Sequence, residues 1–453
     1  MKDAILTFLF IITSLLLAAI FKIPLVIGFA VALMLVIILV ICKGYTWREI
    51  TVASYDGFKR IKPVIYILGL ISLLIPSWIM SGTVPTMIYY IVNWIEPTWI
   101  LLFAFFITAI TSFILGTAIG TLGSLGIILV GVAIAVDVPI ALVAGALVSG
   151  AFVGDRCSPL SSAFHLAANS VEVNPKKLFR NMLPTTLLLI FLSSFIYFIA
   201  GFFIQPKGIT ENMVVTNLLQ ENFHISIVTL LPIVVLFGSI LLKVRTIFSL
   251  GLGVITGILI AVTLQDLSIV DILRNLGFGY SHSSTGLEDI LRGGGILTMG
   301  QLFLFITLAS MMNGILDRTQ LFKVFMKKMF DKACSLTSYT ARTASIGIIF
   351  AIVGCNQAFP VMLTGRSLKS TWEEAGYKKE ELGRVVCDSA LVISGLVPWN
   401  MVAILSAAAI GVSTVEYALF AVFLWLGPIV TILISFFRKG KYEGIYFEKV
   451  ANQ

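Results

Sequence analysis

Residues Gly150–Ser170 read GAFVGDRCSPLSSAFHLAANS. This stretch sets an aspartate, an arginine, a proline and four serines among small apolar residues, directly after the apolar run 119–149. Whether these polar groups sit in water or in lipid decides the fold. Composition answers first. Hydrophobic residues make up 58% of the 453 and charged residues only 12%, against roughly 45–50% and 25% in soluble domains. Mean hydropathy is +1.02. Apolar runs near the length that crosses a bilayer as helix, about 18 residues or more, recur along the chain. They are Ala4–Phe21, Ile23–Cys42, Trp99–Leu115, Met182–Ile204, Ile225–Leu242, Ile247–Leu264, Ile296–Ile315, Ile346–Leu363 and Val415–Phe437. The reading is an all-α polytopic membrane protein of about 10–12 transmembrane helices, counting broken helices and re-entrant hairpins.

Lys22 alone separates the first two runs, so residues 1–42 are expected to form a helical hairpin, not a cleaved leader. The net charge of +8 is informative through its placement. Lys43, Arg48, Lys59, Arg60 and Lys62 are expected in one loop, Lys176, Lys177 and Arg180 in another. Lys243 and Arg245 lie between two spans, and Arg438, Lys439 and Lys441 follow the last. The positive-inside rule makes these segments and both termini cytoplasmic. The loop 265–294 carries more acid than base and reads as external. The basic charge thus reports orientation in the membrane, and no nucleic-acid partner is needed to explain it. Cys42, Cys157, Cys334, Cys355 and Cys387 show no metal-ligand spacing and read as small apolar fillers.

Two halves echo each other. SWIMSG (Ser77–Gly82) resembles ASMMNG (Ala309–Gly314), the two glycines standing 232 apart. Asp155 in FVGDRCSPLSS and Asp388 in VVCDSALVISGLVPWN stand 233 apart. LGTAIGTLGS (Leu115–Ser124) and VGCNQAFP (Val353–Pro360) both interrupt apolar runs with glycine and polar groups. The expected organisation is a first transport repeat over 43–204, connecting helices over 205–264 and a second transport repeat over 265–453. The first copy enters from a basic flank and the second from an acidic one. The copies are therefore expected to be inverted, an arrangement of secondary transporters with a midplane site.

An ionised aspartate at mid-span costs about 2.5–3.5 kcal/mol and persists where it faces a cavity, an ion or a partner. Asp155 is the leading candidate. Its structural alternative, a pair with the adjacent Arg156, is poorly aligned on a helix. Asp388 is more evenly balanced, because Arg384 precedes it by one turn. Gly154 and Pro159 are expected to break the helix and free backbone carbonyls. With Ser158, Ser161 and Ser162 they make an oxygen cage for a hard cation. Thr117 and Thr121 share a helix face. Asn356, Ser389, Ser394 and Asn400 come from the second half. For most of these hydroxyls the expectation is back-bonding to the preceding turn or close helix packing. His165 is a candidate proton relay, weighed against a structural role.

With these residues in view, the chain resembles the NhaC-type Na+/H+ antiporter family of the wider ion transporter superfamily. SWIMSGTVPTMIYY (77–90), GTAIGTLGSLGIILVGVA (116–133), SGAFVGDRCSPLSS (149–162) and SGLVPWN (394–400) carry the resemblance. It implies a secondary transporter of a prokaryotic plasma membrane and no enzyme, with no cofactor beyond the transported Na+ and H+. Na+ would be bound at Asp155, with Ser158, Pro159 and Ser161 on the family's GD-[KR]-x-SPLS segment and Thr117 on its GTS-x-GT segment. Asp388, Pro398 and Asn400 would fall on the second-half segment. The chain departs from the family where Ser162, Ala163, Phe164 and His165 replace a second acid, two threonines and an asparagine. GCNQ likewise stands where a serine-rich turn is expected.

The leading expectation is an Na+/H+ antiporter in which both ions compete at Asp155. The alternative is an Na+- or H+-coupled carrier of a small organic acid or amino acid. A channel is disfavoured by the lack of a repeated filter segment, and an enzyme by the lack of a nucleophile–base set. Oligomeric state is open, with a homodimer as one candidate.

Overall fold

In lipid every backbone polar group must be satisfied within the protein, which favours helices, and the chain is helical almost throughout. A computed structural model describes residues 23–204, 209–282, 287–288, 290–319, 335–354 and 356–438, with residues 10, 13–15, 17–18 and 21. Most of the expected span Ala4–Phe21 lies outside the described residues, as do Cys334, Cys355, Lys439 and Lys441. Seven described helices are long and apolar enough to cross a membrane, eight if the bent pair Val214–Asn222 and Ile227–Leu241 is one span. Four shorter apolar helices join them. The protein is a multi-pass membrane protein. Its described sheet is one antiparallel pair, Tyr280–Ser281 with Arg292–Gly293.

The first group of helices is α1 (Leu25–Cys42), α2 (Trp47–Arg60), α3 (Lys62–Met80) and α4 (Thr83–Trp94). The second is α5 (Ile100–Leu115), α6 (Ala118–Ala135), α7 (Ile140–Cys157), α8 (Ser162–Ser170) and α9 (Pro175–Phe202). A middle group follows: α10 (Ile209–Asn222), α11 (Leu231–Leu241), α12 (Thr246–Leu264), α13 (Ile269–Phe278) and α14 (Gly300–Thr319). The last is α15 (Leu336–Val353), α16 (Ala358–Glu374), α17 (Lys379–Val386), α18 (Met401–Ile410), α19 (Thr414–Ala418) and α20 (Val422–Phe437). Helix α17 runs into a π turn over Cys387–Leu391.

Two bodies of packing emerge. Helix α14 lies on α1 and α2, and α12 on α3 and α11. Elsewhere α5 packs along α7, α8 against α16, and α9 against α17 and α20. Between them, α6 touches α4 on one side and α18 on the other. Helices α6 and α7 bury 89% and 83% of their apolar windows, whereas α9 buries 33%. The first two therefore form the centre, and α9 faces lipid.

Three details differ from the sequence reading. The basic segment 43–62 is mostly a helix, because Thr46 and Glu49 form a reciprocal capping box at its start. Bonds from Thr46 hold the Glu49 carboxyl below its usual range. The run Ile346–Leu363 falls on two helices, α15 ending at Val353 and α16 starting at Ala358. Gly154 does not break α7, which continues to Cys157. A Cβ at Gly150 or Gly154 would collide with α5 at Thr108 or Ser112, so the GAFVG spacing is a small-residue seam that brings two backbones together.

The breaks themselves come in crossing pairs. Between α5 and α6, Gly116 takes φ +69°, a conformation that favours glycine. It rests on the break between α7 and α8, where a Cβ would meet the Leu160 carbonyl carbon at 2.5 Å. In the other half, the break between α15 and α16 meets the break before α18. Trp399 Nε1 donates to the Ile352 carbonyl (2.6 Å) and Asn400 Nδ2 to that of Gly354 (3.0 Å). Thr117 and Asn356, Pro159 and Pro398, and Ser161 and Asn400 each stand 239 residues apart. The breaks thus do not follow the 233-residue spacing that pairs Asp155 with Asp388. At 239, Asp155 matches Ser394 and Asp388 matches Ser149.

Candidate ion-binding site

Asp155 lies in the last turn of α7 and is 7% exposed. Its Oδ1 accepts from the Ala118 N–H at 2.9 Å. Ala118 opens α6, so the carboxylate faces a helix N-terminus, where unpaired N–H groups and the macrodipole favour negative charge. Gln357, one residue before α16, brings its Nε2 to 3.5 Å from the second oxygen, Oδ2, and 3.2 Å from the Leu391 carbonyl. Among the described residues no cationic side chain pairs with Asp155.

The neighbouring hydroxyls mostly shape the backbone. Ser158 donates to the Phe113 carbonyl (2.6 Å), tying the second break to the end of α5. Ser161 donates to the Asp155 carbonyl (2.9 Å) and accepts from the Phe164 N–H, so one hydroxyl closes the break and caps α8. Thr117 accepts from the Gly120 N–H at the start of α6. Thr121, Ser389 and Ser394 donate to carbonyls one turn back, Thr117, Val385 and Ala390, the role expected for most of them. Asn356 accepts from the Phe359 N–H and Asn400 from the Val402 N–H, each at a helix start. Ser162 is exposed, Phe164 is buried, and the His165 ring bonds the Pro159 carbonyl at 2.8 Å.

The two aspartates stand in different surroundings. Arg156 turns away from Asp155 and is fully buried against Asp388, with its Nε 2.6 Å from Asp388 Oδ1. Its remaining nitrogens bond the Thr185 and Thr186 hydroxyls of α9. Arg384 lies 4.0 Å from the other Asp388 oxygen and pairs with Glu381 at 2.8 Å, and Glu381 also holds Arg438 at 2.6 Å. Asp388 belongs to this ionic cluster, whereas the Ser389 hydroxyl bonds, among the described residues, only the Val385 carbonyl. Asp155, Thr117, Ser158 and Ser161 gather at the first crossing, and Asn356 stands beside it next to Gln357. Sequence reasoning passed over Gln357, whose only signal was the departure GCNQ. Beyond the spans, Lys369 bonds Glu172 at 2.7 Å and holds its carboxyl below the usual range.

Known proteins resemble this chain over most of its length. The profile of the Na+/H+ antiporter family matches residues 150–439. A Haemophilus influenzae protein named as an uncharacterized Na+/H+ antiporter is 30% identical over 406 residues, 87% of this chain and 86% of that one. The Na+/H+ antiporter NhaC of Alkalihalophilus pseudofirmus is 28% identical over 87% of this chain and 86% of its own. The malate-2H+/Na+-lactate antiporter of Bacillus subtilis is 28% identical over 89% and 86%.

Proposed function

The chain belongs to the Na+/H+ antiporter family, and on that premise we propose that it exchanges Na+ for H+ at Asp155. As a family member it is an antiporter and not an enzyme. One observation carries the assignment of the site: a buried carboxylate, held by a helix N-terminus and unpaired with any described cation, at a crossing of broken helices. Such an acid can hold a proton or a hard cation but not both. Proton and Na+ therefore compete, and exposure of the site to each side in turn makes the exchange. The Ala118 N–H fixes Oδ1 and leaves Oδ2 for the cargo, while Ser161 pins the main chain of Asp155.

The moving boundary follows from the packing. Rocking one sequence half against the other would pull apart the fully buried Arg156–Asp388 pair. The unit that moves is instead the body holding both crossings, α5–α9 with α15–α20, against α1–α4 and α10–α14. We further propose that 43–204 and 265–453 are inverted repeats, with 1–42 an N-terminal hairpin and 205–264 connecting helices, in the plasma membrane with both termini cytoplasmic. Lys176 and Asp266 are exposed. Cysteines placed there one at a time should react with an impermeant thiol reagent from opposite sides, and labelling of both from one side would overturn this orientation.

The function is tested in proteoliposomes carrying an internal pH-sensitive dye. An Na+ pulse should collapse a preset acid-inside gradient with no organic solute present. At acid pH, half-saturating Na+ should rise by about tenfold per pH unit, as competition requires. A second reading, coupled exchange of a small organic acid, is favoured by the likeness to the malate–lactate antiporter. It would prevail if Na+ alone left the gradient intact and lactate or malate released it.

A further inference from the structure

Gln357 reaches from the second crossing to the acid of the first. Its neighbour Asn356 already caps the start of α16, and the Gln357 side chain makes no capping bond. Its amide is therefore free for another role. Nε2 sits between Asp155 Oδ2 at 3.5 Å and the Leu391 carbonyl at 3.2 Å, both toward or beyond the long end of the hydrogen-bond range. Leu391 ends the π turn, a departure from regular helix common at functional sites. A carboxylate oxygen and a carbonyl oxygen converging on one donor also converge on a cation, and hard cations take oxygen ligands.

We propose that Gln357 is a ligand of the Na+ site. Na+ enters between Asp155 Oδ2 and the Leu391 carbonyl, and the Gln357 side chain draws back and turns so that Oε1 faces the ion. Glutamine has three side-chain torsions, of which the terminal one is broad, and its amide carries donor and acceptor alike, so the side chain can both withdraw and turn. The cation then bridges the two crossings, as the amide does without it. This rests on Asp155 being the exchange site.

The test titrates Na+ in the dye-loaded proteoliposomes with Gln357→Leu, Gln357→Glu and Asp155→Asn. Gln357→Leu should raise half-saturating Na+ by about tenfold or more, equivalent to about 1.4 kcal/mol, with the maximal rate within about twofold. Gln357→Glu, which keeps an oxygen at that reach, should return half-saturation to within about threefold of the parent. If Gln357→Leu does not accumulate, Gln357→Met keeps the length, lacks the oxygen and should show the same rise. An unchanged half-saturation in the apolar variant, a loss of maximal rate alone, or a Gln357→Glu that does not recover Na+ saturation would each overturn the ligand role. With those outcomes beside an inactive Asp155→Asn, Asp155 stands and Gln357 falls. An active Asp155→Asn overturns both.

Discussion

Asp155→Asn is expected to abolish Na+/H+ exchange while the protein still accumulates and folds. Asparagine keeps the shape and offers an oxygen to the Ala118 N–H, so the helix start stays satisfied. It cannot exchange a proton, so the competition that drives antiport is gone. Replacing a charged acceptor by a neutral one costs about 1 kcal/mol of hydrogen bonding. Removing a charge from a buried position works the other way, and the melting of the purified variant should stay near that of the parent. Exchange is read as dye response to Na+ pulses across a pH series. The parent should be most active on the alkaline side and fade in acid, because protons displace Na+ from a single carboxylate. If the Asn variant exchanges with the parental pH profile, Asp155 is a structural acceptor and the site lies elsewhere.

Breaking the Arg156–Asp388 pair should act on stability first. Both side chains are fully buried, and each lies in a different half of the chain. Arg156→Met would leave Asp388 facing Arg384 at 4.0 Å, and Asp388→Leu would leave Arg156 with only threonine hydroxyls. Removing one partner of a buried pair costs about 3–5 kcal/mol, because the other charge stays behind. Replacing both by apolar groups is often neutral, so the double variant should recover most of the loss. Denaturation of the four proteins in detergent measures the coupling. Single variants within about 1 kcal/mol of the parent, as for a surface pair, would show that the pair is not the tie it is argued to be. Exchange by a refolded double variant would place Asp388 outside the ion path, which separates its role from that of Asp155.

The membrane class, the broken segment at Ser158–Ser161 and the burial of Asp155 were all legible in the sequence. Each is written locally, in composition, in a proline among serines, or in an acid among small residues. The back-bonding of Thr121 and Ser389 was legible for the same reason. What was hidden depends on contacts made far along the chain. Arg156 meets its acid 232 residues away, so no local spacing could announce that Asp388 neutralises an arginine. Gly154 looked like a helix breaker because glycine is permissive anywhere. Only the presence of α5 beside it explains why a side chain is excluded. Gln357 lay in a segment noticed for what it lacked, and its reach to Asp155 depends on the two crossings lying side by side.

The same buried pair has a consequence for biosynthesis. Ribosomes add about 5–20 residues per second, so the 232 residues between Arg156 and Asp388 take roughly 10–50 s to translate. During that interval the arginine has left the ribosome and its counter-ion does not exist. Thr186 and Thr185, 30 and 29 residues downstream, arrive within roughly 2–6 s and can meet part of its hydrogen-bonding demand. They supply no negative charge, and an unpaired arginine at mid-bilayer costs about 2.5–3.5 kcal/mol or more. The nascent first half therefore inserts as a provisional structure, and its assembly closes only when the second half is made.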